Sequence, residues 1–338
     1  MHLSRTLDGD EGGNDRGVIK RRLLETMSTN WVLTPSTKIP MKSFITLLIF
    51  ALAFTANAGE RKSQTNVAYG EHKAQKLDIY WDADKKNAPI VVNIHGGGWQ
   101  NGDKAGFGNT GYQNLFIDEL GCVLVSPNYR MIGDLVEGKI TRATRSESAG
   151  KVDAMMSDVA SAVAFIQRNA AEYGGDPKRV IVCGSSAGGH LSAALAYCNS
   201  RDWLKGTKYA GDKLNIVGWY GDCGPVDKTL NPQIPFLDDG IPILNIDKKD
   251  PPAFMIVGTK DNLVPAENAT KLQKVLTESG IWSQTLMVEG GRHVVGKQVV
   301  RYDPLKKPFI AFVKFVTGQG EAPPSGKVIK VPNPTPAR

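Results

Sequence analysis

The chain has 338 residues, of which 41% are hydrophobic and 22% charged, and its formal net charge is +7. This length and composition are typical of a globular protein with a sizeable core, and they exclude a disordered or fibrous chain. The lysines and arginines are scattered without a basic block, so the positive charge does not predict a nucleic-acid-binding face.

The N-terminal part of the chain contains a pattern typical of a secretory signal peptide. A lysine precedes an apolar run over residues 44–54, and an Ala-Asn-Ala sequence follows that run. The run is much shorter than the roughly 20 residues that span a bilayer. We therefore predict a cleaved signal over residues 41–58 and a secreted or periplasmic protein without stable membrane insertion. Residues 1–40 would lie upstream of this signal, and whether they are translated stays open.

Residues 59–319 are predicted to form one α/β domain. Short, mostly continuous apolar runs alternate with segments of helical periodicity, which is typical of strands covered on both faces. The predicted strands cover residues 77–81, 90–95, 122–129, 180–184, 215–221, 253–258 and 283–289. The predicted helices cover residues 153–173, 187–197, 266–279 and 308–316. This order predicts a mostly parallel, doubly wound sheet of about eight strands with helices on both faces.

A loop of consecutive glycines follows the second predicted strand. Its sequence is His-Gly-Gly-Gly-Trp over residues 95–99. Consecutive glycines let backbone N–H groups face a developing oxyanion without obstruction by side chains. We interpret His95 as a structural brace for this loop rather than as a base.

The sequence Gly-Ser-Ser-Ala-Gly over residues 184–188 lies between a predicted strand and a predicted helix. It fits the pattern G-x-S-x-G, in which the third residue is a nucleophilic serine on a sharp turn. The pattern therefore selects Ser186 rather than Ser185. The backbone N–H of Ala187 points at the same place from the start of the helix and adds a third donor to the glycine loop.

A serine nucleophile needs a base, and the base needs a carboxylate. Elimination among the five histidines leaves His293, which follows the last predicted strand. The others lie before the predicted signal, ahead of the sheet, in the glycine loop and on the helix after the serine, at His2, His72, His95 and His190. Asp261 also follows a predicted strand and is the preferred acid, with Asp222 as its one competitor.

Two further segments are predicted to lack regular structure. Residues 222–252 form a long connection rich in Pro and Asp, and we consider it a candidate small lid because long loops in compact domains are usually functional. The Pro-rich, basic tail over residues 320–338 is predicted to be disordered.

No cofactor and no metal are predicted. No group of Cys, His, Asp or Glu has metal-ligand spacing, and the GFGNTG sequence over residues 106–111 lacks the preceding strand that a dinucleotide-binding loop needs. Among the four cysteines, only Cys198 and Cys223 are considered as a disulfide pair, which export would permit. Whether they form this disulfide stays open.

Together these residues resemble the α/β-hydrolase superfamily, in particular the HGGG(W)-type esterases that include hormone-sensitive lipase-like and feruloyl- or acetylxylan-esterase-like proteins. The stretches that carry the resemblance are YGEHKAQKLDIYW, IVVNIHGGGWQNGDK, VSPNYR, YGGDPKRVIVCGSSAGGHLSA and GTKDNLVP. The resemblance implies an α/β-hydrolase fold and a catalytic triad of Ser186, Asp261 and His293. It also implies oxyanion-hole donors at Gly97, Gly98 and Ala187. The chain departs from the family in lacking a large helical cap before the HGGGW strand.

The predicted function is that of a secreted serine carboxylic-ester hydrolase acting through an acyl-enzyme on Ser186. Short-acyl esters and carbohydrate-linked acetyl or feruloyl esters are the expected substrates, and no nucleic acid is expected as a partner. The alternatives are an amide hydrolase of the same fold, such as an arylformamidase or a peptidase, and a non-catalytic binding module. The acyl group, the alcohol and the oligomeric state do not follow from the sequence.

Overall fold

One mixed sheet runs through the part of the chain that the structure describes. The structure is a computed structural model and describes residues 59–135, 152–198, 201–232, 234 and 242–334. The strands are β1 Arg61–Ala68, β2 Lys76–Asp82, β3 Ala88–Ile94, β4 Val123–Pro127, β5 Gly175–Ser185, β6 Ile216–Asp222, β7 Ala253–Gly258, β8 Ser283–Val288 and β9 Val328–Val331. These nine strands pair in the order β1-β2-β4-β3-β5-β6-β7-β8-β9.

The strand directions confirm the predicted fold class. β2 pairs antiparallel with both β1 and β4, and every other neighbouring pair is parallel. Every residue of β3 and β7 is buried, which explains their continuous apolar sequences. β1 was not predicted, because its sequence RKSQTNVA is largely exposed and polar and belongs to the sheet through its backbone pairing with β2.

Helices cover both faces of the sheet. The α-helices are α1 Thr110–Gln113, α2 Ile132–Leu135, α3 Val152–Arg168, α4 Ala187–Tyr197, α5 Glu267–Glu278 and α6 Asp303–Val316. A π-helical segment over Asn114–Glu119 continues α1. Short 3₁₀ helices cover Lys104–Phe107, Ala170–Tyr173, Lys228–Leu230, Pro242–Leu244 and Gly296–Val300. Side chains of α3, α4 and α5 belong to one buried cluster, whereas those of the π-helical segment and α6 belong to a second one.

Helix α6 begins five residues before its predicted start. The prediction placed the start at Pro308, since proline is usually confined to the first turn of a helix. In the structure the helix begins at Asp303 with Pro304 in its first turn, and Pro308 lies in the interior of the helix.

The predicted disorder of the tail is wrong for residues 320–334. β9 pairs in parallel with β8 between Thr285↔Val328 and Val288↔Val331. In addition, Trp282 Nε1 donates a hydrogen bond to the carbonyl of Pro323 at 2.6 Å. The short, mostly exposed Val-Ile-Lys-Val strand joins an open sheet edge, and this pairing is not visible in a local sequence pattern. The domain therefore extends beyond the predicted end at residue 319.

Several predictions fall on residues outside the described ranges. These are the upstream segment 1–40, the signal peptide 41–58, the tail residues 335–338 and, within the candidate lid, residues 233 and 235–241. Within the described ranges, no helix has both the length and the apolar character needed to cross a bilayer.

Candidate active site

Ser186 occupies the sharp turn between β5 and α4. Its backbone has φ 56° and ψ −120°, and a positive φ is costly for a residue with a side chain. The Ser186 N–H donates to the carbonyl of Asp222 at 2.9 Å, and its carbonyl accepts from the N–H of His190 at 3.0 Å. These bonds hold the strained turn between the end of β6 and the first turn of α4.

Glycine is required beside this turn because three backbones meet there. A Cβ on Gly188 would lie 2.0 Å from the carbonyl oxygen of Ile94, and a Cβ on Gly184 would lie 2.4 Å from the carbonyl oxygen of Gly188. Both glycines of the G-x-S-x-G pattern therefore allow β3, β5 and α4 to approach closely enough to present the serine.

The structure brings Ser186, His293 and Asp261 into one hydrogen-bonded series. Ser186 Oγ lies 2.9 Å from His293 Nε2, and His293 Nδ1 lies 2.7 Å from Asp261 Oδ2. The other carboxylate oxygen of Asp261 accepts the N–H groups of Leu263 at 2.9 Å and Val264 at 3.0 Å. An acceptor at Nδ1 favours the tautomer whose Nε2 is free to take a proton from Ser186. The catalytic roles of the three residues stay predictions.

Asp222, the competitor for the acid, is bonded to the other serine of the motif. Its Oδ2 accepts a hydrogen bond from Ser185 Oγ at 3.0 Å. Burial raises the pKa of Asp222 to about 6, although hydrogen bonds from the Gly296 N–H and Ser185 partly oppose this. Of the two adjacent serines, Ser185 thus contacts a carboxyl group, whereas Ser186 contacts the imidazole of His293.

The glycine loop lies against the serine turn. A Cβ on Gly96 would lie 2.6 Å from the carbonyl oxygen of Ser185, so the loop packs there by its backbone alone. Gly97 and Gly98 have φ values of 113° and 61° and line the cavity around Ser186. Within the described ranges, no protein acceptor takes up the N–H groups of Gly97, Gly98 or Ala187. These donors are therefore available to an anionic oxygen, and their role as an oxyanion hole stays a prediction.

His95 braces the glycine loop. Its ring stacks on Tyr129 with centroids 4.5 Å apart, and its Nδ1 lies 2.9 Å from the carbonyl oxygen of Gly96. Burial lowers the pKa of His95, which favours the neutral ring. Farther along the loop, Lys104 forms a buried ion pair with Asp78 at 3.1 Å. The residues after HGGGW are thereby fixed to β2.

A strained pair of residues beside His293 was not predicted. Cys223 and Val294 have φ values of 47° and 60°, and a positive φ is exceptional for a β-branched residue. The Val294 N–H donates to Cys223 Sγ at 3.3 Å, and this sulfur lies 4.0 Å from His293 Nε2. Tertiary contacts impose these conformations, so no sequence signal could have found them.

The cysteine pair considered from the sequence is not bonded. Cys198 and Cys223 are both free and buried, as are the other two cysteines. Ligand atoms of Cys223, Asp261 and His293 lie within 4.8 Å of one another, which is compact enough for a metal ion. However, metals bind the thiolate, and burial raises the pKa of the Cys223 thiol. Both ring nitrogens of His293 also already have partners, so this group fits the serine site better than a metal centre.

A cavity of about 840 Å³ opens above Ser186 and His293. Its wall is mainly apolar and includes Trp99, Phe107, Tyr112, Leu263, Val264 and Val300. Pro225 and Ile234 from the candidate lid also line it, as do Lys297 and Arg301. The GFGNTG sequence contributes Gly106, Phe107 and Asn109. This segment therefore belongs to the same site, and it follows β3 only after an intervening loop.

Comparison with known proteins gives one family match and a set of distant relatives. The family model described as BD-FAE matches residues 77–228. The probable carboxylic ester hydrolase LipM of Mycobacterium tuberculosis is 26% identical over 297 residues, which cover 79% of this chain and 64% of LipM. The probable isoprenylcysteine alpha-carbonyl methylesterase ICME of Oryza sativa subsp. japonica is 24% identical over 273 residues, which cover 73% and 61%. The chain thus spans about a third to two thirds of the length of the curated relatives it matches.

Solved structures share the fold. A truncated carbohydrate esterase from gut microbiota has a TM-score of 0.62 and 22% sequence identity, covering 76% of this chain and 96% of that one. A structure of Thermogutta terrifontis esterase 2 phosphoramylated by tabun has a TM-score of 0.60 and 21% identity, covering 77% and 97%. These likenesses cover about three quarters of this chain.

Proposed function

We propose that this chain, an α/β-hydrolase of the HGGG(W) esterase type, hydrolyses carboxylic esters through an acyl-enzyme on Ser186. The observation that carries the proposal is the hydrogen-bonded series from Asp261 through His293 to Ser186 at the floor of an open cavity. The named relatives are ester hydrolases, and one structure with this fold is an esterase that carries an organophosphorus group. Both facts support the same chemistry.

The proposed reaction has two halves. Ser186 Oγ attacks the ester carbonyl while His293 Nε2 takes its proton, and Asp261 stabilises the resulting imidazolium. The carbonyl oxygen becomes negatively charged and is bound by the N–H groups of the glycine loop and Ala187. His293 returns the proton to the departing alcohol, which leaves the acyl group on Ser186. A water activated by His293 then hydrolyses this acyl-enzyme and regenerates the serine.

The geometry of the site also bears on the two alternative functions, a non-catalytic binding module and an amide hydrolase. A non-catalytic binding module has no need of a base held by a buried carboxylate, and Asp261 has no exposed side-chain surface. An amide hydrolase would share the geometry. The ester reading is preferred because the relatives above are named as ester hydrolases.

We expect short acyl groups to be preferred. A long acyl chain gains rate only if about 0.8 kcal/mol per CH₂ is collected in an enclosed apolar pocket. The cavity above Ser186 has apolar walls but is open to solvent, and within the described ranges no large cap precedes β3 to enclose it. The structure with a TM-score of 0.62 is named a carbohydrate esterase, which supports a carbohydrate-linked ester as the substrate. Acetyl and feruloyl groups are the acyl groups that we propose for it.

A panel of p-nitrophenyl esters tests both the activity and this preference. The purified chain should hydrolyse the acetate and the butyrate, and kcat/KM should fall toward the laurate. Failure to hydrolyse any ester would contradict the proposed function. A steady rise with chain length would leave the esterase in place and contradict the short-acyl preference.

We also propose that the enzyme is exported and that the signal is cleaved after Ala58. Strand β1 begins at Arg61, so this cleavage would leave the whole described sheet in the mature chain. N-terminal sequencing of protein exported from a suitable host should begin at Gly59. A sequence beginning at Met1 or Met41 would contradict export.

A further inference from the structure

The segment that follows the last strand carries an unusual distribution of charge. Residues 290–302 contain Arg292, Lys297 and Arg301 and no acidic residue. This short cluster does not stand out in the sequence, because the basic residues of the whole chain are scattered. It contains His293, so its charges are placed around the base of the proposed reaction.

The same segment lines two cavities. The cavity above Ser186 is lined by His293, Val294, Lys297 and Arg301, and these four residues also line a second cavity of about 930 Å³. Arg292 lies in the second cavity, together with Asn333 from the C-terminal tail. The two cavities therefore have Lys297 and Arg301 in common. We call the cations of this segment the basic wall and define it as Arg292, Lys297 and Arg301.

The basic wall is not neutralised by the described protein. Within the described ranges, none of its three side chains forms an ion pair, and no Asp or Glu lines either cavity. Neighbouring cations behave differently, since Lys306 pairs with Glu119 and Lys307 pairs with Asp303. Like charges gathered along a cleft raise the local concentration of anions, so the wall favours a substrate that supplies the negative charge.

The role of His293 in the proposed reaction indicates which part of the substrate would carry the negative charge, namely the alcohol. His293 Nε2 must protonate the departing alcohol oxygen, so the alcohol lies beside His293. Lys297 and Arg301 follow on the 3₁₀ helix Gly296–Val300 and its end. The glycine loop, which would hold the carbonyl oxygen, comes from a different part of the chain.

Resting on the proposed function, we propose that the basic wall binds a carboxylate on the alcohol part of the substrate. The enzyme then acts on acylated hydroxy acids, including acylated sugar acids, in preference to esters of neutral alcohols. Guanidinium groups suit this task because they bind carboxylates through two parallel hydrogen bonds. The second cavity has room for further parts of the same alcohol.

Two aryl acetates of nearly equal size test the proposal. In 4-acetoxybenzoate the departing phenol carries a carboxylate, whereas in 4-acetoxybenzamide it carries a neutral amide. We expect kcat/KM for the benzoate to exceed that for the benzamide by about tenfold, as charge-assisted hydrogen bonds allow. High salt should reduce this ratio, because the wall is exposed to solvent. Equal values for the two substrates would overturn the proposal.

Variants show whether the basic wall causes the preference. In Lys297→Gln/Arg301→Gln the ratio of the two kcat/KM values should fall about tenfold. Lys297→Arg/Arg301→Lys keeps both charges and one guanidinium in the basic wall and should keep most of the ratio. The matched control Lys274→Gln/Lys307→Gln removes two exposed cations that line neither cavity and should not change it. An unchanged ratio in the first variant, or an equal fall in the control, would overturn the assignment.

Two further substrates separate the possible failures. p-Nitrophenyl succinate and p-nitrophenyl butyrate differ in charge on the acyl part, and their ratio should not depend on Lys297 and Arg301. A dependence there would move the carboxylate to the acyl side and overturn the proposal. Hydrolysis of the benzamide with no preference for the benzoate contradicts only this inference, whereas no hydrolysis of any of the four substrates contradicts the proposed function.

Discussion

Replacing Ser186 with alanine should abolish turnover of p-nitrophenyl acetate and labelling by a serine-reactive phosphonate. The variant lacks the nucleophile that lies 2.9 Å from His293 Nε2, so only the oxyanion donors and substrate binding remain. Loss of a triad member leaves at most roughly 10³–10⁴-fold acceleration over water. Steady-state kinetics and the mass of the intact protein after phosphonate treatment measure both effects.

Ser185→Ala is the matched control, since it removes the adjacent hydroxyl. Ser185 Oγ donates to Asp222 and not to His293, so most of the activity and all of the phosphonate labelling should remain. Activity lost in Ser185→Ala but retained in Ser186→Ala would mean that the motif has been read in the wrong register.

Asp261→Asn should leave the protein folded and lower kcat by up to roughly 10⁴-fold. An amide presents a donor as well as an acceptor to His293 Nδ1, and it no longer fixes the tautomer whose Nε2 accepts the serine proton. The position of the side chain should persist, because the N–H groups of Leu263 and Val264 bind its other oxygen. Kinetics with p-nitrophenyl acetate and circular dichroism separate lost chemistry from lost structure.

Asp222→Asn is the control for the acid and should cost far less activity, because Asp222 is bonded to Ser185. Its effect should appear in stability instead. Burial raises the pKa of Asp222 to about 6 from an ordinary value of 3.8, so between these pH values the folded state binds more protons than the unfolded state. The contribution of Asp222 to the free energy of unfolding of the wild type therefore falls as pH rises through this range.

The variant lacks this dependence on pH. The difference in unfolding free energy, variant minus wild type, should thus increase by about 2 kcal/mol between pH 4 and pH 7. Urea unfolding at the two pH values measures it. If Asp222→Asn lost more kcat than Asp261→Asn, the acid would be Asp222.

The geometry of the candidate site follows from features that are visible in sequence. Parallel strands place their carboxyl ends at one edge of the sheet, and ligands bind there. Ser186, Asp261 and His293 follow β5, β7 and β8, and this order brings them together despite their separation along the chain. The glycines at 184 and 188 identify the turn because only a residue without Cβ fits there.

The remaining features depend on tertiary contacts that leave no local pattern. β1 and β9 are mostly exposed strands at the two edges of the sheet, and backbone pairing rather than buried side chains holds them there. Likewise, nothing in the sequence indicates that Val294 adopts φ 60° beside His293. The basic wall could have been found, since its three cations and the absence of acidic residues over 290–302 are visible in the sequence.

The acyl-enzyme on Ser186 is tested most directly by trapping it during turnover. Protein mixed with p-nitrophenyl butyrate and quenched in acid within one turnover should carry one butyryl group, which peptide mass spectrometry locates. Use of the Ser185→Ala variant removes ambiguity between the adjacent serines. We expect the group on Ser186 and no acylation in Ser186→Ala. Hydrolysis without an acylated intermediate, or with the butyryl group on another residue such as Cys223, would contradict the account.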